Sequence, residues 1–258
     1  MTSREDTSHG PETTHVPETS HVVVVTGSSS GIGAAVARAF AAIGAGVVVN
    51  SARSVAEGTA VAASLPDAVY VQGDITEPQT AQGLVDAALD RWGRLDTLVN
   101  NAGTTAVIPH HDVEAASVDV WRRIFEVNVF ATWAMTVAAL PALREAKGSV
   151  VNISSVAGLR PTGSSIPYAA SKAALNHMTV LLAKVVGPDV RVNAVAPGLI
   201  DTPWTADWEF QRAAVEAVTP LKRIGQPLDV AEVVLALARS AYMTGQVVAI
   251  DGGLTIAL

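Results

Sequence analysis

The sequence predicts an α/β protein organised on a parallel β-sheet. Three observations predict it. Residues 21–25 read His-Val-Val-Val-Val, a β-branched run of the kind found in strands covered on both faces. A glycine- and serine-rich turn, residues 26–33, follows at once and opens into an Ala-rich helical stretch, residues 34–43. Short apolar runs then alternate with helical stretches along the chain, at 47–50, 68–72, 95–99 and 190–195.

The first strand, turn and helix aim backbone N–H groups and a helix N-terminus at a phosphate. Three glycines have separable roles there. Gly27 permits the tight turn, Gly31 lets a cofactor approach the backbone, and Gly33 lets the helix pack close to the strand. Ser29, Ser30 and Ile32 fill the turn between them, and the spacing is G-x-x-x-G-x-G. The second strand ends in Asn50-Ser51-Ala52-Arg53-Ser54, with no acid until Glu57. A carboxylate there would hold a ribose 2′-hydroxyl and repel a 2′-phosphate. Arg53 and the hydroxyls of Ser51 and Ser54 would attract that phosphate, which favours NADP(H) over NAD(H), with NAD(H) possible as the second cofactor.

The third strand, 68–72, runs into Gly73-Asp74-Ile75-Thr76. Asp74 stands where an open sheet has its ligand crevice, and its carboxylate can accept from an adenine amino group or cap the helix that begins near Pro78. The fourth strand ends in Asn100-Asn101-Ala102-Gly103. Its amides can satisfy backbone groups where the sheet splays, and Gly103 lets a ring lie against the chain.

The chemistry is concentrated between Ser155 and Lys172. Tyr168 and Lys172 are four apart, on one face of a helix. An ammonium beside a phenol favours the phenolate, so Tyr168 is expected to titrate below its usual value and to exchange a proton with a substrate oxygen. Ser155 ends a strand from which its hydroxyl can reach the same oxygen.

Composition sets bounds. The 258 residues suffice for one large α/β domain or two small ones, and 49% apolar with 16% charged content describes a well-buried globular chain. A net charge of -7 leaves no basic surplus for nucleic acid. The chain has no Cys, which excludes disulfides, thiolate catalysis and Cys-ligated metals. The apolar stretch 127–143 is interrupted by Asn128, Thr132, Thr136 and Pro141, and is expected to be a buried helix rather than a membrane span. Arg4-Glu5-Asp6 precedes no apolar core, so no secretory signal is expected and the cytoplasm is the expected location. Residues 1–20 are polar, nearly repeat a Pro-Glu-Thr unit, and are expected to form a disordered tail rather than a metal site on His9, His15 and His21. No metal site is expected, and His110-His111-Asp112 reads as surface.

In order and at these separations, Thr26-Gly27-x-x-x-Gly31-Ile32-Gly33, Asp74, Asn100-Asn101-Ala102-Gly103, Asn128, Ser155, Tyr168-x-x-x-Lys172 and Pro197-Gly198 resemble the single-domain short-chain dehydrogenases/reductases. The resemblance covers about 22 to 258 and is most like the 3-oxoacyl-(acyl-carrier-protein) reductases. It implies a Rossmann-type, doubly wound seven-stranded parallel sheet of order 3-2-1-4-5-6-7, flanked by helices, in one dinucleotide-binding catalytic domain over 21–258. It also implies hydride transfer between a nicotinamide and a small carbonyl or secondary-alcohol substrate. By resemblance Tyr168 is the acid/base and Ser155 orients the carbonyl. Ser155 is chosen over Ser154 by the thirteen-residue step to Tyr168. Lys172 binds the nicotinamide ribose, and Asn128 holds a water linking Lys172 to solvent. Pro197, Gly198, Ile200 and Thr202 match residues at the nicotinamide end, and Ile75, Asn101, Ala102 and Gly103 also fall on the cofactor side. Residues 203–220 are expected to form a lid carrying Trp204 and Trp208, and a homotetramer is implied.

Departures from the pattern are a shorter connection at 238–244 and Lys184-Val185 on the helix after Lys172. Asp189 and the net acidity give little support for an acidic carrier-protein partner. A non-catalytic nucleotide sensor on the same fold is the alternative, against which both Tyr168 and Lys172 are present.

Overall fold

The computed structural model describes residues 21–257, so the expected tail and its His9 and His15 lie outside the described residues. Seven parallel strands form one sheet in the order β3-β2-β1-β4-β5-β6-β7. They are β1 Val22–Val25, β2 Gly46–Ser51, β3 Ala68–Gln72, β4 Thr97–Asn100, β5 Ser149–Ile153, β6 Arg191–Pro197 and β7 Val247–Ile250.

Because strand side chains alternate, the valines of β1 divide between two cores. Val23 and Val25 join Val36 and Phe40 of α1 (Gly31–Ala42), Val61 of α2 (Val55–Ala63), and Val234 and Leu237 of α8 (Pro227–Arg239). Val22 and Val24 join Leu84 of α3 (Pro78–Trp92), Met135 and Leu143 of α5 (Thr132–Ala146), and Leu182 of α6 (Ile166–Val186). All four β1 valines are fully buried, each contributing on the order of 1.5–3 kcal/mol. The remaining helices are α4 (Val118–Phe125), α7 (Glu209–Val218) and α9 (Leu254–Ala257).

Several expectations shift. The fourth strand starts at Thr97 rather than Leu95, because the buried Asp96 turns its carboxylate to the Val22 N–H (2.8 Å) and to Arg94. The apolar stretch 127–143 belongs to a longer helical run, 118–146, in which α4 and α5 are joined by a π-helical turn, Glu126–Ala131. This is the one described helix long and apolar enough, by length and composition, to cross a membrane. It is not wholly buried as expected. Met135, Ala139 and Leu143 pack on the sheet, while Phe130, Trp133 and Val137 face out. The short connection before β7 is held by β6: the Asn193 amide donates to the Met243 carbonyl (2.8 Å) and accepts from the Gln246 N–H (3.0 Å).

His21 is packed into the fold. Its ring stacks on Phe40 at 5.6 Å and its Nε2 lies 3.1 Å from the Thr97 hydroxyl. Among the described residues no group of three or more His, Asp or Glu side chains converges as a metal site would require.

Candidate active site

A cleft of about 1010 Å³ runs along the carboxyl ends of the strands, where an open parallel sheet places its ligands. It gathers every residue expected on the cofactor side, together with Ser155, Tyr168 and Lys172. Asn128 does not line it.

At one end the main chain is stitched together by short polar side chains. The Ser28 hydroxyl donates to the Val25 carbonyl (2.7 Å) and accepts from the Asn50 N–H (3.0 Å). The Gly27 N–H donates to Asn50 Oδ1, and the Asn50 amide donates to the carbonyls of Val71 and Gly73. Thr26 Oγ1 accepts from the N–H groups of Asn101 and Ala102, and the Asn101 amide donates to the carbonyls of Thr26 and Gly27. Gly27 and Gly31 adopt φ of 61° and 53°, the left-handed region that favours glycine. A Cβ on Gly33 would lie 2.5 Å from the Gly27 carbonyl oxygen and the Asn101 amide. Gly33 therefore brings α1 against the turn and the Asn101 loop, not against the strand as expected.

The N-terminus of α1 suits a phosphate. Ser30 makes no side-chain cap bond and the first turn holds no acid, so its N–H groups and partial positive charge face the cleft uncompensated. At the end of β2, Arg53 and Ser54 are exposed, and among the described residues neither side chain has a hydrogen bond or ion pair. Ser51 differs from expectation. Its buried hydroxyl donates to the Ser54 carbonyl (2.9 Å) and pairs with the Tyr70 hydroxyl (2.9 Å), so its donor is spent inside the loop. Asp74 Oδ1 accepts from the N–H (3.0 Å) and hydroxyl (2.8 Å) of Thr76, closing a turn, while Glu77 occupies the N-cap of α3. Among the described residues Asp74 Oδ2 has no partner, which leaves it for an amino group. These features fit a dinucleotide.

The catalytic candidates meet at mid-cleft. β5 delivers both serines. The buried Ser154 hydroxyl donates to the Lys172 carbonyl (3.3 Å), whereas the Ser155 hydroxyl accepts from the Ala157 N–H (3.2 Å), stands close enough to the Tyr168 phenol to act on its pKa, and lines the cleft. Ser165 caps α6 on the Tyr168 N–H, with Pro167 in the first turn, which sets the rotation of the helix that carries Tyr168 and Lys172. Lys172 is 4% exposed, donates to the Ile153 carbonyl (2.8 Å), and lies 5.7 Å from the Tyr168 ring centroid.

The expected fall of the Tyr168 pKa is reversed in this geometry. Burial pushes the phenol up, and the Ser155 hydroxyl pulls only partly against it. The ammonium sits over the ring rather than at the hydroxyl, and burial lowers Lys172 itself to about 8. The side chain of Asn128 also departs from its expected relay role. Its amide accepts from the Thr104 N–H (2.8 Å) and donates to the Thr104 carbonyl (3.0 Å) and the Ser171 hydroxyl (3.0 Å). It ties the loop after β4 to α6 from within the π-helical turn, with no donor left for a water.

The other end is walled by loops. The Ile108 N–H donates to the Ser164 carbonyl (2.8 Å) and the Thr105 and Ser164 hydroxyls pair at 2.6 Å, so the loops before α4 and before α6 form one wall. His110 lines this wall, with a buried Nε2, and is not the surface residue expected. Opposite stand Trp204, Trp208 and Phe210, on a short 3-10 turn (Pro203–Thr205) and on α7. α7 has no buried residue and Phe210 is 83% exposed. The Arg212 guanidinium bridges to Asp201 (2.6 Å) and the Thr205 carbonyl (3.0 Å), hinging α7 to the end of β6. Asn50, His110 and Phe210 were not singled out for the site from sequence, whereas Thr26 opened the first motif. Of those three, Asn50 alone carried a signal, as a polar residue closing a buried valine run.

A family profile described as "Enoyl-(Acyl carrier protein) reductase" matches residues 27–255. The chain is 58% identical over 236 residues to a protein of Streptomyces violaceoruber named as ketoacyl reductase 2 of the granaticin polyketide synthase, covering 90% of this chain and 95% of the other. It is 39% identical over 246 residues to the 3-oxoacyl-(acyl-carrier-protein) reductase FabG of Thermotoga maritima, covering 91% and 98%. It is 38% identical over 244 residues to L-fucose dehydrogenase of Bos taurus, covering 90% and 88%. Among solved structures, the short-chain dehydrogenase/reductase SDR:Glucose/ribitol dehydrogenase of Brucella melitensis superposes with a TM-score of 0.85 at 32% identity, covering 92% of this chain and 97% of that one. The sheet order, the cleft and these likenesses agree, and the chain belongs to the short-chain dehydrogenase/reductase family of oxidoreductases.

Proposed function

We propose that this oxidoreductase uses NADPH to reduce a ketone to a secondary alcohol, with Tyr168 as the acid and Ser155 beside it. The observation that carries the reading is Ser155 and Tyr168 brought together in the cleft, with buried Lys172 against the phenol ring, in the same cleft as an uncapped helix N-terminus. The 58% identity to a protein named as a ketoacyl reductase supports the same direction of chemistry.

When bound, the dihydronicotinamide supplies a hydride to the carbonyl carbon. Tyr168 gives its phenolic proton to the carbonyl oxygen as negative charge grows there, and Ser155 stabilises that oxygen with a second hydrogen bond. The raised pKa of Tyr168 keeps the phenol protonated, the form reduction needs. Lys172 would hold the nicotinamide ribose, and its ammonium against the Tyr168 ring would favour the phenolate left after proton transfer. Asn128 keeps α6 and the Thr104 loop in register for this geometry. Arg53, an exposed guanidinium with no carboxylate beside it at the end of β2, supports NADPH over NADH. The apolar faces of the π-helical turn and α5 (Phe130, Trp133, Val137) and of α6 (Val180, Leu181, Val185) suit burial between subunits of a homotetramer. A cytoplasmic location belongs to the same reading.

The test follows cofactor absorbance over a panel of ketones and alcohols with NADPH and NADH. Tyr168→Phe is expected to lower kcat by about 10³-fold and to leave NADPH binding within a few-fold. Unimpaired turnover of that variant would sink the assignment. A sensor that binds NADPH and turns over nothing is the competing reading, and the wild-type panel separates the two.

A further inference from the structure

Gly163 lies on the loop between the 3-10 turn Val156–Gly158 and α6, and it lines the cleft. Its φ is 111°, a conformation that side chains with a Cβ rarely adopt. Space is short there as well. A Cβ built on Gly163 would lie 2.7 Å from the Ala157 Cβ, well inside the ~3.5 Å of an ordinary carbon–carbon contact, and 3.6 Å from Tyr168 Cδ1. The bare main chain therefore packs against two neighbours at once, the turn that follows Ser155 and the ring of Tyr168.

Both neighbours bear on the reacting atoms. The Ala157 N–H donates to the Ser155 hydroxyl (3.2 Å), so a shift of Ala157 carries that hydroxyl with it. The Tyr168 ring bears the phenol itself. The loop is pinned on each side of the contact. The Thr162 N–H donates to the Arg160 carbonyl (2.8 Å). The Ser164 carbonyl accepts from the Ile108 N–H (2.8 Å), and the Ser164 hydroxyl pairs with that of Thr105 (2.6 Å). With its own path fixed, the loop passes the volume of any added atom on to Ala157 and Tyr168.

We propose that Gly163 is a positioning residue, the spacer that sets how far the Ser155 hydroxyl stands from the Tyr168 phenol. It acts through those two residues and not on the substrate. The inference rests on the reading of Ser155 and Tyr168 as the proton-transfer pair, and it supplies a cause for their spacing. Bulk at position 163 should cost turnover and spare the nucleotide end, whose walls come from other loops.

The test pairs Gly163→Ala with the double variant Gly163→Ala/Ala157→Gly, which takes away the methyl that the new Cβ would strike. Crystal structures of the parent and of Gly163→Ala, both without cofactor, are compared first. The separation of Ser155 Oγ from Tyr168 Oη should widen by about half an ångström, part of what relieves the overlap. With ethyl acetoacetate and NADPH, Gly163→Ala should lose about 10–100-fold in kcat and keep its KM for NADPH. Both variants hold a side chain at positive φ, so both should melt below the parent. Only the double variant should regain most of the lost kcat, whereas a glycine needed for folding alone would leave the two alike. An unchanged Ser155–Tyr168 separation in Gly163→Ala, or equal kcat in the single and double variants, would overturn the proposal. A parent that reduces neither ethyl acetoacetate nor any other ketone with either cofactor sinks the reductase reading, and the crystal separation then decides the spacer role by itself. If Gly163→Ala does not fold, Ala157→Val replaces it, pressing on Gly163 from the other side with no side chain at positive φ. The same widening and the same loss of kcat are expected there, and their absence would overturn the proposal.

Discussion

Gly27, Gly31 and Gly33, at one end of the cleft, sit in a turn whose backbone is tied to β2 and β4 by buried Ser28, Asn50, Thr26 and Asn101. Trp204, Trp208 and Phe210, at the other end, sit on a 3-10 turn and on a helix with no buried residue. The first end offers main-chain N–H groups in a geometry that cannot relax, as suits a ligand that never changes. The second offers side chains on elements that can move at little cost, because few apolar contacts hold them.

That contrast can be tested from its strongest consequence to its weakest. Gly33→Val should be the most damaging change. Its side chain would meet the Gly27 carbonyl, the Asn101 amide and, at 2.8 Å, the Ser28 Cα, all held by other bonds. A loss of about 3 kcal/mol or more, with abolished nucleotide binding, is expected in thermal melts and NADPH fluorescence titrations. A variant as stable as the parent would show that the turn is soft.

Lys172 marks the boundary between the two ends, and its burial is visible as pH dependence. Its folded pKa is about 8, below the ordinary value of 10.5, so the folded state binds fewer protons than the unfolded state between those values. The desolvation penalty is fully present below pH 8 and is relieved as pH rises towards 10.5, so this residue makes stability rise across that window. The effect is about 3 kcal/mol. Lys172→Met should lack it, so urea unfolding measured from pH 7 to 10.5 should give wild-type and variant curves that converge as pH rises. Parallel curves would mean that the ammonium is solvated in the free protein.

Arg53 lies at the exposed rim of the rigid end, where the proposed contact to the cofactor is a side chain's rather than the main chain's. Arg53→Ala should raise KM for NADPH about tenfold, the scale of one charge-assisted hydrogen bond, and leave KM for NADH nearly unchanged. Equal effects on the two cofactors would refute the phosphate role. The smallest effect is expected at Phe210. Because this ring is 83% exposed, Phe210→Ala should change stability by less than about 0.5 kcal/mol. KM for a bulky apolar ketone should still rise a few-fold. A large fall in melting temperature would contradict the view of α7 as loosely held.

Most of the rigid end was legible before folding. The valine run of β1, the glycine spacing after it and Pro78–Trp92 as a helix all follow from periods and turn preferences that neighbouring residues impose on each other. Tyr168 and Lys172 fell on one helix face for the same reason. The roles of Ser51, Asn128 and Lys172 were less legible, since each hangs on which of several donors or acceptors arrives first.

Strand, turn and helix positions and the order of the motifs were written in the chain as local patterns, because a backbone has few ways to satisfy its hydrogen bonds. The tertiary structure decided what each polar side chain touches. Ser51 spends its hydroxyl on Tyr70, 19 residues away; Asn128 locks Thr104, 24 away; and Thr105 meets Ser164, 59 away, forming the wall that carries His110. These partners are set by packing across the sheet, and no period in the sequence encodes the distance between two loops that meet only in the folded chain.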